Sequence, residues 1–161
     1  MFDFQAFKTL ENKFVLKEVA VVGVDSNTVM HYMLKPPYPY QVLDPMTKRR
    51  IDYFTHNIHG ICWNNGFVEL RDARKAIATA LKDAVVIYIK GSERANFLCG
   101  FLRDMQISGA TVVDLDNDAD FKMAQAHQGS YMFEHHGYCS YRHKRFALLF
   151  GQGDKISQYF T

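Results

Sequence analysis

The chain has 161 residues, 48% of them hydrophobic and 14% aromatic, which is enough for one well-packed core and excludes an intrinsically disordered chain. Its formal charge is +2, from 19 basic and 17 acidic residues, so capture of a polyanion by overall charge is excluded and any nucleic-acid footprint has to be a local patch. Cys62, Cys99 and Cys139 are odd in number and far apart, which argues against a disulfide framework and for a reducing compartment. No apolar run approaches the roughly 18 residues of a membrane span, and the charged N-terminal segment has no signal-type apolar stretch. With no shift in composition along the chain, residues 1–161 read as a single domain located inside the cell, in cytoplasm or nucleus.

In chain order, residues 3–12 present Phe4, Phe7 and Leu10 at helical spacing and predict a short amphipathic helix. "FVLKEVAVVGVD" (14–25) is rich in β-branched residues and predicts a central strand; "TVMHYMLK" (28–35) alternates and predicts its antiparallel neighbour. The prolines of "PPYPYQVLDP" (36–45) remove backbone donors and fix φ, so this stretch is an extended surface segment. Asp44-Pro45 opens a helix, with Asp44 as N-cap, that Gly60 stops. Asn64-Asn65-Gly66 is a turn. Leu70, Ala73, Ile77, Ala80 and Leu81 set a helix over 68–83. "AVVIYIKG" (84–91) is a buried strand, and residues 92–105 form a helix capped by Ser92 with Ala95, Phe97, Leu98, Phe101 and Leu102 inward. "ATVVDLD" (110–116) is another strand, 119–128 a helix, 135–145 a polar, His-rich loop, and 146–160 a partly apolar closing segment. This succession describes an α/β domain, a mixed sheet with helices on its faces, whose ligand sites favour the strand ends around Asp25 and Lys90-Gly91.

The order of motifs carries a resemblance. A strand ending in Asp25, a strand running into "HYMLKP", a helix into "HNIHGI", then "YIKG" and a helix, then "VVDLD", then "CSYRH" ahead of "ALL" resembles the DEDDh exonuclease branch of the RNase-H-like fold. Within that branch it is similar to the exonuclease domain of arenavirus nucleoproteins and to the Maelstrom domain of the animal piRNA pathway. The similarity spans about residues 17–150. It implies a set of carboxylates holding a pair of divalent metals, with a His as general base. Asp25 matches the first acid, but the second position is Asn27. The third falls at Glu93 or Arg94, and the positions flanking "ALL" hold Arg145 and Phe150. The resemblance therefore implies a degenerate site, because hard cations depend on ligand charge count and Arg94 and Arg145 would repel them. It also implies a viral or mobile-element setting. A structural zinc belongs to the same relatives. Here Cys139 and His143 match two ligands, Phe146 replaces a third, and His136, Cys139 and His143 form an H-x2-C-x3-H spacing compatible with zinc. The competing reading of that stretch is a solvated, His-rich loop.

Three functions follow. The leading one is a pseudo-exonuclease that binds RNA or single-stranded nucleic acid, or acts as a scaffold for protein partners. Arg94, Tyr141, Arg142, Lys144 and Arg145 are its candidate contacts, since tyrosines stack on unpaired bases while Arg and Lys meet phosphates. The second is an active, divergent 3'–5' exonuclease using Asp25, Glu93, Asp114 and His143, for which alone Mg²⁺ or Mn²⁺ is implied. The third is a protein-interaction module, which predicts no salt-dependent nucleic-acid binding and indifference to charge reversal at Arg142, Lys144 and Arg145. "TKRR" (47–50) is a second basic cluster whose plain reading is an ordinary charged helix face.

Overall fold

The N-terminal segment is a strand, not the expected helix. In the computed structural model, which describes residues 1–23 and 28–117, β1 runs over Phe2–Lys8. Two periods compete in "FDFQAFK". The Phe4/Phe7/Leu10 stripe suits a helix, but Phe2, Phe4 and Ala6 alternate with Asp3 and Gln5, and tertiary burial selects the period of two. Phe2 and Phe4 are buried, whereas Leu10 is exposed beyond the strand end.

β1 pairs antiparallel with β2 (Phe14–Val22), and β2 with β3 (Val29–Met33), so β2 is the central strand of a three-stranded meander. A 3-10 turn at Tyr40–Val42 interrupts the proline-rich surface segment. α1 (Pro45–Phe54) begins as its sequence dictates: the Asp44 carboxylate accepts from the backbone N–H of Met46 and Thr47 at 2.9 Å, and Pro45 occupies the first turn. The helix widens into a π turn at Thr55–His59 and ends at Gly60, whose φ of 73° is the left-handed conformation of a helix stop. α2 (Leu70–Leu81), β4 (Val86–Ile89), α3 (Ser92–Asp104) and β5 (Thr111–Asp114) follow, with β4 and β5 parallel and α3 as their crossover. The N-cap of α3 is Gly91, and Ser92, expected as the cap, is the first residue of the helix. The helix expected at 119–128, the His-rich loop and the closing segment lie outside the described residues. Among the described residues no helix is long and apolar enough to cross a membrane.

The chain is thus a mixed α/β structure with a main core on one face of the meander. Directly opposed residues on paired strands share a face, so the register puts Phe2, Val21 and Met30 together with Phe4, Val19 and Tyr32. That face meets Ala73, Ile77 and Leu81 of α2, Ile87 and Ile89 of β4, and Leu98, Phe101 and Leu102 of α3. β4 also contacts β1. A smaller cluster of Phe7, Leu43, Ile51 and Trp63 seats α1.

The β1–β2 ladder contains one bulge, between Gln5 and Ala6, where Glu18 and Leu16 are paired and Lys17 is left over. Lys17 is fully buried, and its ammonium donates to the backbone carbonyls of Leu34 at 2.7 Å, Trp63 at 2.8 Å and Asn65. Those carbonyls belong to chain segments that no ladder satisfies fully, so one side chain ties the exit of β3 to the 63–66 turn. Burial pulls the Lys17 pKa down to about 8. Gly66 completes the contact: its φ is 124°, and a Cβ there would lie 2.1 Å from the Leu34 carbonyl oxygen. Only glycine lets the two backbones come that close.

Candidate functional site

The other face of the meander is polar. The register aligns Asp3 with Ala20 and His31, and Gln5 with Glu18 and Met33, so Asp3, Gln5, Glu18 and His31 point the same way. Asp3 and Glu18 are both 8% exposed, which is rare for carboxylates unless they are paired. His31 Nε2 lies 2.7 Å from Glu18 Oε1. Asp3 is paired with Arg94, from the first turn of α3. The Arg94 guanidinium also donates to the Phe4 carbonyl and lies 4.4 Å over the Phe4 ring. Because Asp3 and Phe4 point to opposite faces of β1, a side chain that touches both and the Phe4 carbonyl wraps around the edge of the strand.

The electrostatics follow from that placement. Burial pushes the Asp3 carboxyl above its ordinary range, the Arg94 guanidinium opposes the rise, and the Glu18 charge adds to it. A neighbouring ion pair, Lys8 with Glu93, joins β1 to the same first turn of α3. The N-terminal turn of α3 is thereby fixed to β1 by two cations and two carboxylates.

Of the residues singled out from sequence, Glu93 and Arg94 sit together at this turn, each engaged with β1. Asp114 ends β5, where its carboxylate accepts from the backbone N–H of Gly91 at 2.8 Å and of Asp116 at 3.0 Å, and from the Asn117 amide at 3.1 Å. It acts as a brace that joins the end of β5 to the β4–α3 turn. Gly91 takes a φ of 100° there. A Cβ at Gly91 would meet nothing nearer than Arg94 Cδ at 3.7 Å, so the constraint is the backbone and not space. Gly91→Ala is expected to lower the unfolding free energy by about 1–2 kcal/mol. Denaturant titration checks this, and a loss under about 0.5 kcal/mol would mean that the turn relaxes freely. Asp25, Tyr141, Arg142, Lys144 and Arg145 lie outside the described residues, as do His136, Cys139 and His143.

Sequence reasoning missed Asp3. The signal was available, since an acid between two phenylalanines in an alternating run places a carboxylate on the polar face of a strand. A divalent metal pair does not fit the groups assembled here. Glu93 is held by Lys8, Asp114 by backbone and amide donors, and a guanidinium already lies on Asp3. Among the described residues no group of three or more His, Cys, Asp or Glu side chains has metal-binding geometry. No family model, no curated protein and no solved structure matches the chain.

Proposed function

We propose that this chain is a nuclease-like domain of the RNase-H-like type that holds single-stranded RNA, or another single-stranded nucleic acid, without cutting it. The observation that carries the reading is the Asp3–Arg94 pair. A carboxylate on the first strand, beside the helix that follows β4, is where a metal-dependent site would need open negative charge. Here that charge is neutralised from within by a guanidinium, which cannot activate a water as a metal ion does. The reading is also supported by the meander followed by a parallel crossover pair, with β4 in contact with β1. The order of sequence motifs is a separate support, and it places the first acid at Asp25, not at Asp3. Asp3 therefore joins Asp25 as a position at which residual catalysis has to be tested.

The test is a cleavage assay on end-labelled single- and double-stranded RNA with Mg²⁺ or Mn²⁺, comparing the unmodified chain with Asp3→Ala and Asp25→Ala. No metal-dependent product is expected from any of them. Product formed by the unmodified chain and lost in either variant would establish the active, divergent exonuclease instead.

A further inference from the structure

We propose that the exposed face of α1 and its π turn is the surface that takes the single strand, with Arg49 and Arg50 on phosphates and Tyr53 under a base. This rests on the nucleic-acid reading above and gives it a location. Arg49 and Tyr53 are four residues apart and Arg50 and Tyr53 three, so they share one helix stripe, with Arg49 and Tyr53 separated by about 6 Å along the axis. That spacing lets a cation meet the backbone of a strand while the ring beside it stacks on a base. Tyr53 is 57% exposed, whereas in α3 Phe101 is buried and Phe97 partly so. Met46 is exposed at the start of the same helix and Ile58 at its end.

Charge on α1 is net positive, with Lys48, Arg49 and Arg50 set against exposed Asp52. Arg49 and Arg50 flank Tyr53, Lys48 turns to the Tyr40 ring and the Gln41 carbonyl, and neither arginine enters an ion pair among the described residues. The two acids of this region both accept hydrogen bonds from neutral donors. The Asp44 carboxylate caps the helix, and Asp52 accepts the Tyr40 hydroxyl at 2.9 Å. Arg49 is tethered only by a bond from Nε to the Pro45 carbonyl at 3.4 Å, which leaves the outer edge of its guanidinium free for a bidentate phosphate contact. Exposed His56 extends the stripe, its ring held to the Asp52 carbonyl at 2.7 Å. By contrast, α2 carries exposed Arg71 and Lys75 with no exposed aromatic residue among them.

The experiment is fluorescence anisotropy with a labelled, mixed-sequence single-stranded RNA over a series of salt concentrations, using the full chain. The variants are R49E/R50E, Tyr53→Ala, and R71E/K75E as a control of equal charge change on α2. R49E/R50E is expected to weaken binding at least about tenfold and to flatten the salt dependence by about two phosphate contacts. Tyr53→Ala is expected to weaken binding about 5- to 50-fold with the salt slope unchanged, as loss of one stacked base does. R71E/K75E should bind within about threefold of the unmodified chain, once its expected small field effect is allowed for. Salt-dependent binding by the unmodified chain that survives both α1 changes, or that R71E/K75E weakens equally, overturns the assignment of the surface alone. Absence of any salt-dependent binding by the unmodified chain overturns the nucleic-acid reading itself.

Discussion

Lys17→Met lowers the unfolding free energy by roughly 3–5 kcal/mol, the largest effect expected of any conservative change in the core. Replacing a buried ion pair with apolar groups is often harmless, because both charges leave together. Lys17 is a different case. Its partners are the carbonyls of Leu34, Trp63 and Asn65, which stay behind, buried and without their donor. Methionine fills the space and satisfies none of them. A second readout separates this loss from simple misfit. The folded pKa of Lys17 is about 8, below the 10.5 of an unfolded chain. Between those values the unfolded state binds the extra proton, so stability rises with pH across that window, as the penalty for burying the charge is relieved. Below about pH 8 the penalty is fully present. Urea titrations at several pH values from 7 to 10.5 should give a rising contribution in the parent that is missing from Lys17→Met. A variant destabilised by less than about 1 kcal/mol, with the same pH slope as the parent, would remove Lys17 from its role as the tie between segments.

The second large effect is at the strand edge. Arg94→Met is expected to cost roughly 3 kcal/mol near neutral pH, because Asp3 would remain as a buried, uncompensated carboxylate beside Glu18. Adding Asp3→Asn should recover part of the loss, since the second change removes the orphaned charge. The pH dependence has a definite sign. The folded pKa of Asp3 lies above its unfolded value of 3.8, and removing Arg94 raises it further. The folded state then keeps its proton to higher pH than the unfolded state. Its stability is therefore fully present below pH 3.8 and is lost as pH climbs through the folded pKa. Denaturant curves at pH 4 and pH 7 should accordingly give a smaller loss for Arg94→Met at the acid end. Equal losses at both pH values, or no recovery in the double variant, would mean that Arg94 acts by packing on Phe4 and not by neutralising Asp3.

What the sequence made legible, and what it hid, separates along a physical line. Local rules governed α1: Asp44, Pro45 and Gly60 are the cap, first turn and stop that their side chains and backbone preferences dictate. Of the residues marked by apolar spacing in α2 and α3, Ala73, Ile77, Leu81, Leu98, Phe101 and Leu102 are buried, Ala80, Ala95 and Phe97 are partly buried, and Leu70, at the first turn of α2, is exposed. β2 to β5 followed from β-branched runs between turn residues, but β4 is buried only at Ile87 and Ile89 and exposes Val86. β1 was misread because seven residues can satisfy two periods, and only a neighbouring strand decides between them. That error concealed Asp3, and with it the partner of Arg94. Lys17 was hidden for another reason. Its carbonyl partners lie 17, 46 and 48 residues away, and the bulge that frees it from the ladder is a property of strand pairing. In the same way, Glu93 and Asp114 were picked out as acids, but their environment makes them a surface tether and a turn brace. An isolated acid in a sequence does not reveal which cation or amide it will meet.

The division of the strands into a consecutive meander and a crossover pair has a consequence for the order of assembly. β1, β2 and β3 can zip up from contacts close in sequence, at little entropic penalty for closing loops, whereas β4 and β5 meet only after α3 has spanned the distance between them. Contact locality therefore predicts the meander as the nucleus, with the parallel pair docking afterwards, and φ-values high in β2 and low in β5 would check it. In vectorial synthesis residues 2–33 are complete before α2, α3 and the parallel pair have been made, so the apolar side of the meander is there for them to pack on.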